Sequence, residues 1–420
     1  MNKIRISNIS LYSFAIFLVL ELLKFLTQLL PINLREKIAI SMLLIIVVYV
    51  FIIYNCIKQK HIINVFFMII FLSIFFYYGQ HLLAIFYPDY LFNEQVNHIL
   101  DGKLSDGTII RASYLAIECL LILFAGYNYS ISKDTSNDIS CSEIIDNDIR
   151  LQVMRIISWL FLIISLVPTI SFLLAQYRAN SIYGYLERRA MESDPNYYQI
   201  IGVNPIFSTL SKFFLISLFS LMIAYKGKRF RLIINSLFVV YFVLYYLTGS
   251  RFGLVKMLVT YFLIEALWVN PIKKQNLKKY IIIGSICVTA FALGTVFRSS
   301  GIEGFSDISF VRIGGVLWEP GITFTTISNI LENCPSVVDY FYGKSVLGSI
   351  LQCLPEQLRF GFFKHYSLSV SSYFSPLYYH VTNHGYGSSF IAEAYFNFGP
   401  FMVVFIFLYG KFLRYIQLKM

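Results

Sequence analysis

The sequence predicts an all-α, polytopic integral membrane protein with roughly ten or more transmembrane helices, and three observations predict it. Continuous apolar runs of about 20 residues recur along the chain, the length at which an α-helix crosses a bilayer. Only 14% of the 420 residues are charged while 57% are hydrophobic, a balance foreign to soluble chains of this size. Lys and Arg gather in every second connection between the apolar runs, the asymmetry that orients membrane helices. The runs do not alternate polar with apolar residues, which excludes a transmembrane β-barrel.

Taken in order, spans are expected at about 11–30, 38–57, 62–80, 112–129, 152–175, 203–225, 232–247, 252–269, 280–297 and 390–409. The first is followed by no small-residue cleavage site and reads as a retained helix, not a signal peptide. It carries Glu21 and Lys24, three apart on one helix face and therefore expected to pair. The fourth carries Glu118, the sixth Lys212, the eighth Lys256 and Glu265, and the last Glu393. Ionisable groups at such depth are expected to face the bundle interior. Between the fourth and fifth spans, residues 130–148 form the one charged stretch with a disordered look. Between the seventh and eighth lies the very short turn Thr248-Gly-Ser-Arg251.

With Lys3 and Arg5 on the cytoplasmic side, the connections holding Lys58, Lys133, Lys226 to Arg231, Lys273 to Lys279 and the tail from Lys411 are cytoplasmic too. These segments hold 18 of the 34 basic residues against five acids. Both termini are then cytoplasmic. A single transmembrane domain over 1–420 presents two larger outer loops, 176–202 and 298–385, the second long enough for short helices, and a third around 81–111 with less charged chemistry.

Several function classes lose their usual signatures. There is no Walker A loop and no Gly-x-Gly-x-x-Gly. Asp146-Asn-Asp148 has the spacing of a metal–nucleotide-sugar motif but lies in the charged loop and reads as a solvated segment. The six cysteines show no Cys-x-x-Cys; Cys334 and Cys353 share the last loop and read as free buried thiols. His380 and His384 are four apart, but the flanking Pro376 and Gly385 argue against a helical zinc pair. The net charge of +11 follows membrane-surface loops, so a membrane and not a nucleic acid is its partner.

The positive signal is arginine on the outer side. Arg178, Arg188 and Arg189 lie in the first outer loop, Arg251 in the short turn, Arg298 at a span end, and Arg312 and Arg359 beyond it. A guanidinium is always charged and grips phosphate oxygens as a fork. Arginines at span ends also snorkel to headgroups, but the Arg251 turn is too short for that, and outer arginines oppose the general charge bias. Lys256 follows Arg251 by just over one helical turn. For a general base the candidates are His384, beside the glycine-rich run that closes the loop, and Glu319 in Trp318-Glu-Pro-Gly. Glu393 is placed to orient the site. Outer-loop tyrosines fit an interfacial aromatic belt.

The turn Thr248-Gly-Ser-Arg251, the two unequal outer loops and the run Gly385-Tyr-Gly-Ser-Ser-Phe-Ile-Ala-Glu-Ala-Tyr-Phe-Asn-Phe-Gly399 resemble the Wzy-type O-antigen polymerases, the oligosaccharide repeat-unit polymerases. The resemblance implies a glycosyltransferase of the bacterial cytoplasmic membrane with its site on the outer side. Such an enzyme moves an undecaprenyl-diphosphate-linked glycan onto a second undecaprenyl-diphosphate-linked repeat unit, with no metal and no other cofactor. It implies membrane lipids, a chain-length regulator and a flippase as partners. In these terms Arg251, Arg298 and Arg312 bind diphosphate with Lys256 near them, Arg178 and Arg189 hold the second lipid diphosphate, His384 or Glu319 is the base, and Glu393 orients the site. An O-antigen ligase shares the donor and differs in acceptor. A lipid flippase or transporter is the other class; it predicts inverted repeats, and the sequence has none.

Overall fold

The computed structural model describes residues 7–58, 65–87, 99–100, 102–129, 148–184, 187–188, 191, 196–225, 228–249, 251–265, 317–318, 320–351 and 387–419. All regular structure among them is helical. Eight of the described helical stretches are long and apolar enough to cross a membrane. The chain divides into two compact units, one built from both ends, Met1–Ser136 with Gly314–Met420, and one from Asn137–Ile313.

The first unit is organised around α4 (Asp106–Tyr127), in which nearly every residue from Thr108 onward is buried. A helix can be enclosed this way only if its neighbours approach closely, and α4 supplies small residues for that: Ala112, Ser113, Ala116, Ala125 and Gly126. Helix α1 (Asn8–Leu29) runs antiparallel to it. Ser10 Oγ near the start of α1 donates to Ala125 O at 2.6 Å, and Thr27 Oγ1 near its end meets Tyr114 OH at 2.9 Å. Helix α2 (Leu34–Lys58) lies against both α4 and α3 (Val65–Phe86), with Tyr49 OH on Ser73 Oγ at 2.7 Å. Helix α3 is also antiparallel to α4: Phe66 stacks on Tyr127, and Tyr78 OH donates to Ser113 O at 3.0 Å.

Polar side chains define where these helices begin. Ser7, Ser105 and Ser389 each accept a hydrogen bond from the backbone N–H three residues on, and Asn33 Oδ1 accepts from Glu36 N. Basic residues close two ends: Arg35 Nη2 donates to Ile85 O at 2.6 Å and Lys37 Nζ to Gln28 O at 3.2 Å. Both meet the negative end of a helix dipole, which gives two cations outside the basic clusters a local reason.

The final apolar stretch is not one helix. It consists of α11 (Phe390–Phe398), a 3₁₀ turn Gly399–Phe401, and α12 (Met402–Lys419). Gly399 has φ +53° with the Tyr340 ring against it, and Pro400 follows. The break therefore replaces the single 390–409 span read from hydropathy, which does not register a Gly-Pro step. Helix α12 packs on α4 backbone to backbone. A Cβ on Gly126 would stand 2.1 Å from Phe407 O, and one on Gly410 2.2 Å from Leu123 O. Gly126→Val and Gly410→Val are each expected to destabilise the protein by about 1–3 kcal/mol, because the obstacle is a carbonyl and not a flexible side chain. Thermal unfolding in detergent measures this; unchanged midpoints would refute the packing.

Two short helices belong to the stretch after Gly314: α9 (Thr323–Asn333) and α10 (Lys344–Leu351). Every residue of α9 from Thr323 to Leu331 is buried, against α4, α3 and α11. Its hydroxyls are satisfied by carbonyls, Thr323 Oγ1 on Phe76 O, Thr325 Oγ1 on Ile322 O and Thr326 Oγ1 on Gly387 O, as burial requires. The segment leading into α9 touches α3 through glycine on both sides. A Cβ on Gly79 would meet Leu317 O at 2.1 Å, and one on Gly321 would meet Gln80 N at 2.6 Å.

In the second unit α5 (Asp148–Tyr183) packs against the shorter α6 (Pro205–Ala224), and α7 (Lys228–Leu247) and α8 (Arg251–Ile264) complete it. Asn204 caps α6 with Pro205 at the first helical position. Leu162, Phe214, Leu218, Leu221, Ile234 and Met257 form its core. At 36 residues, α5 exceeds the expected 152–175 span. Its rise of about 54 Å outruns the hydrocarbon layer, so hydropathy sees only its middle.

Seven of the ten expected spans thus coincide with single long apolar helices, and an eighth with the broken stretch Phe390–Gln417. The 252–269 span is seen as α8 as far as Ile264, with residues beyond 265 outside the described ones, as is the whole 280–297 span.

Candidate functional site

The turn before α8 is built by short-range bonds. Thr248 N and Gly249 N donate to Tyr245 O and Tyr246 O at 3.1 and 3.0 Å, and Thr248 Oγ1 donates to Tyr245 O at 2.7 Å. These bonds end α7. Gly249 takes φ +74°, the left-handed conformation that glycine adopts without strain, and the chain reverses into α8 with Arg251 as its first residue. The opening N–H groups of a helix lack intrahelical acceptors and carry the positive end of its dipole. An arginine at that position makes the turn suited to an anion.

A second layer holds the turn from outside. Asn180, on α5, donates through Nδ2 to Thr248 O at 2.6 Å, and its Oδ1 accepts from Arg188 Nε at 2.5 Å. Arg188 Nη1 donates to Tyr197 OH at 3.2 Å. Arg188 is only 1% exposed. The backbone reaches it through Gly184, at φ +79°, whose carbonyl accepts from Arg188 N at 3.1 Å. Of the loop arginines singled out by sequence, Arg178 is exposed and Arg189 lies outside the described residues. Arg188, not chosen as a site residue, is buried. The sequence carries no signal that Arg188 is buried; the one clue is Asn180, eight residues earlier on the helix that ends at Tyr183. Tyr197 is correspondingly a buried partner of a guanidinium and not part of an aromatic belt.

Lys256 is exposed, as is Lys212, whereas ionisable groups at that depth were expected to face inward. Both are long enough to snorkel. The expected Glu21–Lys24 pair forms at 2.5 Å, and Lys24 Nζ also reaches Glu118 Oε1 at 3.2 Å. Glu265 pairs with Arg231.

In the first unit the described part of the closing run works as a dock. Ser389 caps α11. Glu393 Oε2 accepts from Ser345 Oγ at 2.6 Å. Asn397 donates through Nδ2 to the same Ser345 Oγ at 2.6 Å, and its Oδ1 accepts from Ser345 N at 3.3 Å. The α11 carboxylate and amide therefore hold the start of α10. Nearby in the fold, His81 Nε2 meets Ser113 Oγ at 2.6 Å, with the Phe324 ring edge-on to the imidazole. The Ser113 hydroxyl also lies 2.8 Å from Ile109 O. Helix α3 continues to Phe86, past the expected end at residue 80. Cys334 is a free buried thiol, pushed up to about 11 by burial and then by Asp339. Arg298, Arg312, Glu319, His384, Arg359 and Cys353 lie outside the described residues, and Arg251 is described in its backbone only.

The chain matches the model of the family described as O-antigen polysaccharide polymerase Wzy over residues 10–420. It belongs to that family. As a Wzy-family chain with several long apolar helices, it is a multi-pass membrane protein. No curated protein and no solved structure matches it. The motifs that carried the resemblance take two forms in this Wzy-family chain: an arginine-led helix start held by Asn180, and a run whose Glu393 and Asn397 hold α10.

Proposed function

We propose that this protein polymerises undecaprenyl-diphosphate-linked repeat units by block transfer at the outer face of the cytoplasmic membrane, with both termini in the cytoplasm. The acceptor unit's hydroxyl oxygen forms a bond to the donor's anomeric carbon as the bond from that carbon to the diphosphate oxygen breaks. The diphosphate leaves with the electron pair, and the hydroxyl proton passes to a base, His384 or Glu319. Charge grows on the leaving diphosphate, and fixed cations aimed at it stabilise that charge without reorganisation. In this reading Arg251, Arg298 and Arg312 with Lys256 meet the donor diphosphate, Arg178 and Arg189 the acceptor's, and Glu393 orients the loop that carries the site.

The observation that carries the reading is the Thr248–Arg251 turn in a chain of this family: a short, externally gripped helix start with arginine as its first residue. An arginine opening a helix, where free N–H groups and the dipole favour an anion, supports a lipid-diphosphate site that needs no metal. A chain-length regulator and a flippase are the expected protein partners, since a polymerase of this kind consumes units delivered to the outer face.

Incubation of purified protein with a lipid-linked repeat unit, chelator present and nucleotide absent, tests this. The expected product is a ladder of longer lipid-linked glycans. Transbilayer movement of the lipid with no ladder would replace the reading with a flippase. Transfer only onto a non-identical acceptor would replace it with a ligase.

A further inference from the structure

We infer that Arg188 and Asn180 are positioning residues for the Thr248–Arg251 turn, and that through them the 176–202 loop sets how tightly the turn holds a lipid diphosphate. The inference rests on the polymerase reading above.

Arg188 is the largest of the fully buried side chains among the described residues. A buried guanidinium is stable only where hydrogen bonds replace its water, so its surroundings are specified. Arginine has donors only. The Asn180 atom facing Arg188 Nε at 2.5 Å must therefore be the carbonyl Oδ1, and the amide Nδ2 must be the atom that meets Thr248 O at 2.6 Å. Arg188 thus decides which end of the Asn180 amide is presented to the turn.

Thr248 is fully buried, and its carbonyl is the last before the Gly249 pivot. The grip acts three residues ahead of Arg251, at the point where a glycine would otherwise let α8 swing. Tyr197 braces the far side of the guanidinium at 3.2 Å, so the loop's fold and the turn's position are mechanically one assembly. Preorganisation of this kind matters because a misplacement of about 1 Å at a reacting group is enough to lose on the order of 10²-fold in rate.

A purely structural role, in which Arg188 only pins the loop, makes a different prediction for one variant. In Asn180→Asp the carboxylate still accepts from Arg188 and gains an ion pair, so the loop stays pinned. The donor to Thr248 O is lost, and a carboxylate now faces that carbonyl. The experiment uses full-length protein in detergent with the lipid-linked repeat unit, measuring kcat, KM and thermal midpoint for wild type, Asn180→Asp, Arg188→Lys, Arg251→Ala and the Asn180→Asp/Arg251→Ala double variant. The expected result is a KM raised about 10-fold in Asn180→Asp at an unchanged or higher midpoint. Arg188→Lys, which keeps the charge and loses the Nε–H, shifts KM the same way. In the Arg251→Ala background Asn180→Asp adds no further loss, the non-additivity expected of coupled residues.

A wild-type KM in Asn180→Asp, or a loss that simply adds to that of Arg251→Ala, overturns the inference and leaves the polymerase reading standing. A wild-type enzyme that makes no ladder overturns the reading beneath it and the inference with it.

Discussion

Replacing Arg251 with alanine is expected to abolish long polymer in cells while the protein level stays at that of wild type. The turn it occupies is short, its preceding residues are held at Thr248 O by Asn180, and α8 begins at Arg251 itself. Alanine is the best helix former, so α8 persists in the variant. What disappears is the guanidinium of the residue that begins α8. In the proposed reaction one further negative charge develops on the lipid diphosphate as the donor bond breaks, and removal of one fixed donor from such a site is expected to lower the rate by about 10²–10³-fold. Arg251→Lys keeps a point charge and loses the planar fork, and an intermediate polymer yield is expected. A gel of surface glycan with an immunoblot of the membrane fraction measures both. Normal long-chain product in Arg251→Ala removes this residue from the chemistry.

Lys24→Met carries the largest expected loss of stability. Lys24 lies between two carboxylates, Glu21 at 2.5 Å and Glu118 at 3.2 Å, and Glu118 is 2% exposed near the middle of the enclosed helix α4. Its burial is tolerable because an ammonium shares its site. Without Lys24 a carboxylate is left unpaired inside the bundle, an effect of about 3–5 kcal/mol. Removing both charges together, in Lys24→Met/Glu118→Leu, is expected to restore the thermal midpoint to near wild type, since well-packed apolar replacements of buried pairs are frequently neutral. A single Lys24→Met variant as stable as wild type would mean that the cluster does not hold α1 against α4.

Hydropathy located the long helices because a bilayer imposes length and apolarity on each of them. It was weakest where polar chemistry is satisfied inside the protein. The expected end of α3 at residue 80 falls short of Phe86, since the buried Gln80 and His81 lower the hydropathy there while His81 meets Ser113 inside the fold. The Gly399-Pro400 break was written in the chain but carries no hydropathy signal. Helix α9 is rich in threonine and serine, and its burial rests on hydroxyl bonds to Phe76 O, Ile322 O and Gly387 O that only the tertiary structure supplies. In the candidate site, the Thr248-Gly-Ser-Arg251 turn was legible from Gly249 and the brevity of the connection. The role of Arg188 was not, since its bond to the Asn180 amide is a tertiary contact that no local pattern announces. The Glu21–Lys24 pair follows from helical spacing, whereas Glu118 joins it across 94 residues of sequence, beyond the reach of any local rule.

Direct binding of undecaprenyl diphosphate to the purified protein, with chelator present, is the most direct measurement of the central claim. Saturable binding that survives the chelator, and that weakens at least 10-fold in Arg251→Ala, is the predicted result. Equal affinity in wild type and Arg251→Ala, or binding abolished by the chelator in both, would contradict the assignment of the arginine turn as the lipid-diphosphate site.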